Sequence, residues 1–510
     1  MMDPSDYRRD YAAYSAAAER ARFEHHAGLS PRLELRPAEE RYADLWTRDA
    51  FEDLRRKLEG TPEQFETERA GLRALAGAAA LKYAETRARE VSEELRRCEA
   101  SGGFEWNGAR VSASEARWLL AAERDAARRR ELNGRVLDAV RACDDLRAAR
   151  LEALDGAARQ LGFEGRRALY ESFAGVSLEA LAAGAESFLR RTESAYMSAL
   201  AEWSARELGP AAGRTPEYAD LLFFERAADT EAQLPARDFR WLYTETMAGL
   251  GVRVESQRGL RVDEVPRAGK SAETACFAVE PPEDVRLVPG SGAGGLGFFR
   301  KSLDEGGRAQ MFAWASRETA RRHPEFVHAP DRATEGGHGL LLAGLLREQS
   351  WVEARRGVRA AETSALARRA ALLGLYEARR ECASVAAALA LDGAGGDLSE
   401  QLAEEYAARF TEATGFKHEA ATHPLDADEW FGSATRLRAR LFAAGLREHL
   451  RGRHGRRWFE SKGAGEELID VWNTASRHRA EELSKLLWGG EAGFELLADA
   501  SCAALAGRDG

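Results

Sequence analysis

Hydrophobic residues recur at a helical spacing along most of the chain. Segments such as 76–83, 112–123 and 178–189 place alanine and leucine every three or four positions among charged side chains, which is the period of an amphipathic helix. Ser112 followed by Glu115 is the residue pair of a capping box and predicts a helix start there. Only 14 prolines interrupt the 510 residues, which favours long helices. The pattern predicts a mainly α-helical protein.

Two short runs in the middle of the chain follow a different pattern. Residues 274–279 and 285–288 are mostly apolar and contain β-branched and aromatic side chains, as buried strands do. A glycine-rich segment, 290–297, leads from them into an apolar stretch that begins at Phe298. These runs predict a small β-sheet followed directly by a helix.

Charge and composition limit the class of protein. The net charge of −10 argues against nucleic acid as a partner, because a phosphate backbone requires a basic surface. No uncharged apolar run is as long as a bilayer span, and the N-terminus has no apolar signal segment, so no membrane association is expected. The cysteines are odd in number and never in C-x-x-C spacing, which indicates a reducing, cytoplasmic compartment and excludes a cysteine zinc site. They are Cys98, Cys143, Cys276, Cys382 and Cys502.

The breaks between the predicted helices are of loop length, and none is a long linker. We divide the chain into an N-terminal extension (1–32), a helical N-terminal half (33–205) and a C-terminal half (206–510). The second half carries the candidate chemistry. The first is expected to be all-helical.

The most informative motif is the segment Asp304-Glu305-Gly306-Gly307-Arg308. In the motif H-E-x-x-H, two histidines one helical turn apart bind zinc, and the glutamate between them activates a water molecule. Here the glutamate is present, but an aspartate and an arginine occupy the two histidine positions. The motif therefore predicts the shape of a zinc-peptidase helix without its metal ligands.

The segments around this motif resemble a known family. Lys270-Ser271, the two strand-like runs, the glycine-rich turn and a motif helix with an aromatic tail at Trp314 occur in the same order in the oligoendopeptidase F and thimet oligopeptidase family of gluzincin zinc metallopeptidases. The chain resembles a degenerate member of that family. The resemblance implies an elongated helical body split by a deep substrate channel, with a small β-sheet beside the site.

The resemblance also implies roles for single positions. Glu305 corresponds to the general base of the family. Asp304 and Arg308 occupy two of its three zinc-ligand positions, and Glu335, in Thr334-Glu335-Gly336, occupies the third.

A second part of the family's catalytic apparatus is altered as well. In the family, tyrosine hydroxyls from a later segment stabilise the tetrahedral intermediate, and residues 430–439 match that segment. Gly432 and Arg436 stand where tyrosines are expected. Two independent elements of the catalytic machinery are therefore changed.

The chemistry of these residues predicts that no zinc is bound. A catalytic zinc requires three protein ligands and an open position for water, whereas the guanidinium of Arg308 is always cationic and has no acceptor atom. Asp304 and Arg308 are spaced i, i+4 on one helix face. We expect Arg308 to take the electrostatic place of the metal between Asp304 and Glu335, and no cofactor to be required.

Three functions remain open at this stage. The favoured one is a catalytically inactive peptidase homologue that binds a peptide or a partner protein in the retained cleft. The second is an active oligopeptidase with a rearranged zinc site, in which Asp304, Glu335 and His338 are the ligands and Glu305 is the base. The third is a purely structural helical scaffold, for which solvent access to Glu305 and Glu335 is the discriminating observation.

Overall fold

The computed structural model describes residues 3–209, 215–329, 331–356, 360–395 and 398–508. The protein is mainly α-helical and elongated, as predicted, and its described residues include two small sheets. Among the described residues, no helix is long and apolar enough to cross a bilayer. The predicted capping box is present, since Ser112 and Glu115 exchange side-chain and backbone hydrogen bonds at the start of a helix.

The first part of the described chain, up to residue 207, forms a series of helices. They are α1 (Pro4–His26), α2 (Arg36–Arg41), α3 (Arg48–Gly60), α4 (Glu66–Arg87), α5 (Arg89–Ser101), α6 (Ala113–Ala122), α7 (Ala126–Arg141), α8 (Asp144–Gln160), α9 (Arg166–Ala174) and α10 (Leu178–Glu207).

This part is not all-helical, contrary to the prediction. An antiparallel hairpin joins α5 to α6, and its strands are β1 (Gly103–Trp106) and β2 (Ala109–Ser112). Asn107 and Gly108, between the strands, both have positive φ, of 51° and 78°. Asn-Gly is the sequence signal of a two-residue hairpin turn, so the local turn chemistry overrides the surrounding helical pattern.

The second part of the chain contains a sheet and further helices. The strands are β3 (Leu260–Val262), β4 (Ala275–Glu280) and β5 (Asp284–Val288). The helices are α11 (Leu221–Arg226), α12 (Phe239–Gly249), α13 (Gly295–Ala313), α14 (Arg317–Arg322), α15 (Glu325–His328), α16 (Arg332–Ala343), α17 (Gln349–Arg356), α18 (Ala360–Gly393), α19 (Glu400–Thr414), α20 (His423–Asp426), α21 (Gly432–His454), α22 (Lys462–Asn473), α23 (Ala480–Trp488) and α24 (Phe494–Leu505).

The sheet has the strand order β3-β5-β4 and supports the helix that carries the motif. β4 pairs antiparallel with β5, and β3 pairs parallel with β5. Both predicted strand-like runs are therefore strands, as expected. α13 packs against β4 and β5 and also against α16, which in turn packs against α21. The largest hydrophobic core surrounds these helices and includes the buried indoles of Trp351, Trp458 and Trp472.

The N-terminal helix α1 is packed into the protein and contacts both parts of the chain. The hydroxyl of Tyr7 donates a 2.8 Å hydrogen bond to the carbonyl of Leu45 in the first part. Nη2 of Arg8 lies 3.0 Å from Oε1 of Glu325, a fully buried carboxylate of the second part. α1 also packs on β4. It therefore connects the helical N-terminal part to the sheet beside the motif helix.

The cysteines depart from the expectation of a reducing compartment. Cys98 in α5 and Cys143, just before α8, form a disulfide. They are 45 residues apart in sequence, and no local spacing signals their pairing, because the pair depends on how α5 packs against α8. Cys276, Cys382 and Cys502 are free.

Candidate functional site

Close contact between α13 and α16 brings the motif residues together. A Cβ on Gly307 of α13 would overlap the backbone oxygen of His338 on α16, and a Cβ on Gly339 would overlap the side chain of Asp304. Glycine at both positions lets the two backbones approach more closely than any other residue allows. The charged side chains on either side of this contact are therefore held within hydrogen-bonding distance of each other.

Arg308 forms the ion pairs that the sequence predicts. Its Nε donates a 3.0 Å hydrogen bond to Oδ1 of Asp304, and its Nη1 donates a 2.8 Å hydrogen bond to Oε1 of Glu335. Burial by itself lowers the pKa of the Arg308 guanidinium, but the carboxylates of Asp304 and Glu335 outweigh burial and raise that pKa above its usual value. The guanidinium thus stays charged and lies between the two acids.

Glu305 points to the sheet side of the site and is engaged on both oxygens. Its Oε1 accepts a 2.9 Å hydrogen bond from Nζ of Lys301, and its Oε2 accepts a 3.0 Å hydrogen bond from the backbone N–H of Cys276 in β4. Burial raises the pKa of the Glu305 carboxyl above its usual value of 4.5, although the cations of Lys301 and Arg308 oppose the shift. Lys301 was not among the predicted site residues, although its i, i+4 spacing to Glu305 is typical of an ion pair on one helix face.

His338 lies in an apolar environment. Its ring contacts the rings of Phe442 and Trp472, and its Nδ1 accepts a 3.3 Å hydrogen bond from the indole N–H of Trp472. Burial lowers the pKa of His338 to about 3, so the imidazole is neutral. The buried Nε2 has no hydrogen-bond partner among the described residues.

The two positions that lack tyrosine lie at the start of α21. Gly432 is the first residue of that helix, and its N–H donates a 2.7 Å hydrogen bond to Oδ1 of Asp428. The Arg436 side chain is largely exposed, with Nε 3.4 Å from Oε1 of Glu381 in α18. Neither residue contributes a hydroxyl to the site.

A chain of ion pairs, which the sequence analysis also missed, connects α21 to α13. Arg440 of α21 donates hydrogen bonds to Glu381 (Nε to Oε2, 2.5 Å) and Glu377 (Nη2 to Oε2, 2.8 Å) of α18. Glu377 also accepts a hydrogen bond from Arg300 of α13. Both pairs, Glu377 with Glu381 and Arg436 with Arg440, are spaced i, i+4, which indicated that each pair shares a helix face. No local sequence pattern indicated that these faces of α18 and α21 contact each other.

The residues present do not fit a catalytic zinc ion. Asp304 and Glu335, the two carboxylates at the ligand positions that the resemblance implies, are bridged by a cation that cannot coordinate a metal. The ring of His338, the proposed third ligand, packs against aromatic side chains. Among the described residues, no group of three or more His, Cys, Asp or Glu side chains is arranged to hold a metal ion.

No protein-family model matches the sequence, and no curated protein sequence matches it either. Solved structures do resemble the fold. Pz peptidase A, in a structure with an inhibitor, superposes with a TM-score of 0.67 at 13% identity, over 96% of this chain and 90% of that chain. Metallocarboxypeptidase 1 of Trypanosoma cruzi superposes with a TM-score of 0.60 at 15% identity, over 97% of both chains. The M32 carboxypeptidase of Deinococcus radiodurans R1 superposes with a TM-score of 0.61 at 10% identity, over 98% of both chains.

These likenesses extend over nearly the whole chain, but the sequence identities are low. They bear out the metallopeptidase-like fold, whereas the narrower resemblance to the oligoendopeptidase F and thimet oligopeptidase family stays a prediction. The chain therefore has a fold shared with metallocarboxypeptidases and with Pz peptidase A.

Proposed function

We propose that this protein is a catalytically inactive peptidase homologue that binds a peptide without cleaving it. The observation that carries the proposal is the position of Arg308, whose guanidinium bridges Asp304 and Glu335 at hydrogen-bonding distance. In a zinc peptidase the corresponding charge is a metal ion with an open position for water. The guanidinium of Arg308 balances the carboxylates of Asp304 and Glu335, but it neither coordinates water as a metal does nor lowers the pKa of that water to about 7.

The environment of Glu305 supports the same conclusion. A general base acts on a water molecule held beside it, and the guanidinium of Arg308 does not hold that water as a metal ion would. Both oxygens of Glu305 already accept hydrogen bonds, one from Lys301 and one from the amide of Cys276. The carboxylate that corresponds to the base of the resembling family therefore acts here as a connection between α13 and β4.

The test combines metal content with a cleavage assay on the same sample. The purified protein is analysed by inductively coupled plasma mass spectrometry before and after incubation with zinc, and its cleavage of quenched fluorescent peptides is measured with and without chelator. We expect no stoichiometric metal and no chelator-sensitive cleavage. About one tightly held metal per chain with chelator-sensitive cleavage would overturn the proposal and support the alternative site of Asp304, Glu335 and His338.

A designed variant provides the positive control for metal binding. Asp304→His combined with Arg308→His restores two histidines at i, i+4, with Glu335 in place as the third ligand. We expect this variant to bind zinc. The same variant with Glu335→Gln added is the matched control and should bind zinc much more weakly, because one ligand is lost.

The structural scaffold is the second candidate, and a specific observation favours it. The side chains of Glu305 and Glu335 are only 10% and 9% exposed, so the site offers little of either carboxylate to a ligand. The groups that cover them are Lys301 and Arg308, which are charged and reach solvent themselves. Peptide binding decides between the two candidates: a scaffold binds no peptide at this surface.

A further inference from the structure

The acids and bases of the site differ in how much they reach solvent. The side chains of Lys301 and Arg436 are 50% and 62% exposed. Their carboxylate partners, Glu305 and Glu381, are only 10% and 9% exposed. In these two ion pairs the positive member faces the solvent and the negative member faces the interior.

A chain of ion pairs leads from Arg436 to α13, whereas Lys301 pairs separately with Glu305. Arg436 pairs with Glu381, which also binds Arg440; Arg440 in turn binds Glu377. Glu377 binds the residue that precedes Lys301 on α13. We call the two exposed cations, Lys301 and Arg436, the cationic rim. It extends from the motif helix α13 across α18 to α21.

Both rim cations keep donors for a ligand. A lysine ammonium has three N–H donors and an arginine guanidinium has five. Among the described residues, Nζ of Lys301 makes one hydrogen bond, to Glu305, and Arg436 has only the 3.4 Å ion pair with Glu381. A carboxylate that approaches from solvent can therefore bind either cation without displacing a buried acid. Arginine is also well suited to carboxylates, because two of its N–H groups can bind both oxygens at once.

We infer that the ligand of this site is an acidic peptide, whose carboxylates bind Lys301 and Arg436. This inference rests on the proposed function, because it assumes that a peptide enters the site. An acidic ligand meets the exposed cations first, whereas a basic ligand is repelled by them and finds their own partners, Glu305 and Glu381, buried. Complementary charge of this kind favours association and selects against like-charged partners.

The test measures binding of three fluorescein-labelled peptides of equal length by fluorescence anisotropy. Their charged positions are glutamate in the first, glutamine in the second and lysine in the third. We expect the acidic peptide to bind at least about tenfold more tightly than the neutral one at low salt, and the difference to shrink at high salt as the charges are screened. The basic peptide should bind most weakly.

Two single variants and a matched control locate the effect. Arg436→Gln and Lys301→Gln should each weaken binding of the acidic peptide several-fold and leave the neutral peptide unaffected. Arg453→Gln is the control, since Arg453 lies on the same helix and its side chain is also 62% exposed. It is 17 positions beyond Arg436, about 25 Å along the helix. The Arg453→Gln variant should bind the acidic peptide with the same affinity as the wild type.

The possible results separate the two proposals. Equal affinity for all three peptides would overturn the acidic-ligand inference and leave peptide binding intact. No binding of any peptide would overturn the proposed function and the inference with it. A preference for the acidic peptide that survives both rim variants would show that the cationic rim is not its cause.

Discussion

Replacing Arg308 by methionine is the most direct perturbation of the site. Methionine fills a similar volume without charge, so the change leaves Asp304 and Glu335 facing each other across the contact between α13 and α16. In the wild type each of these acids has the guanidinium within 3.0 Å. The variant removes both ion pairs at once.

The magnitude follows from the distances and the burial. With charge centres about 4 Å apart, each pair is worth about 4 kcal/mol at an effective dielectric constant of about 20. Part of this is offset, because Arg308 no longer has to be desolvated. Removing one partner of a buried pair typically costs about 3–5 kcal/mol, and we expect Arg308→Met to cost about that much free energy of unfolding.

Two further variants test the reasoning in denaturant unfolding followed by circular dichroism. Adding Asp304→Asn and Glu335→Gln to Arg308→Met removes the uncompensated charges and should restore most of the lost stability. Arg317→Met is the matched control, because Arg317 pairs with Glu283 on the exposed surface, where an ion pair is worth less than about 1 kcal/mol. If Arg308→Met and Arg317→Met cost the same, the guanidinium does not balance buried acids and the reasoning is refuted.

Three other predictions follow from the same structure. Gly307→Ala should lower the melting temperature and loosen the site, because its Cβ would overlap the backbone oxygen of His338; an unchanged melting curve would contradict the close helix contact. Glu305→Gln should stabilise the protein at neutral pH, because the raised pKa of Glu305 means that the folded state disfavours its ionised form. The gain in free energy of unfolding should vanish below about pH 4.5, where the carboxyl is protonated in both the folded and the unfolded state. A difference in stability that does not change with pH would contradict this prediction. Cys98→Ser with Cys143→Ser should lower the free energy of unfolding by about 4 kcal/mol on the loop-entropy model for a 45-residue separation, and reductant should destabilise the wild type but leave this variant unchanged.

The sequence predicted features whose cause is local. Helical periodicity and the capping box at Ser112 placed helices correctly, because both signals depend on residues within a few positions of each other. The pairing of Asp304 with Arg308 was predictable for the same reason. The prediction that Glu335 approaches them came from the family resemblance, which supplied the second helix that no local pattern provides.

The features that were missed depend on contacts between distant segments. Glu377 could be placed on a helix face, but its two arginine partners lie on α13 and α21. The disulfide between Cys98 and Cys143 likewise requires two helices to pack. The hairpin at Asn107-Gly108 was missed for a different reason. Its turn signal is local and can be recognised in the sequence, but the helical pattern on both sides favoured the prediction of helix.

The buried pair of Arg8 and Glu325 bears on how the protein forms during synthesis. The two residues are 317 positions apart, and at about 5–20 residues per second the ribosome makes that length of chain in about 15–60 s. The hydroxyl of Tyr7 can reach Leu45 within the first seconds, so α1 can join the nascent N-terminal helices early. Nη1 of Arg8 can pair early with Glu68 of α4, but its Nε and Nη2 stay hydrated until Glu325 of α15 is made. The fold can therefore be completed only after the C-terminal half is synthesised, although α1, which carries Arg8, is synthesised first.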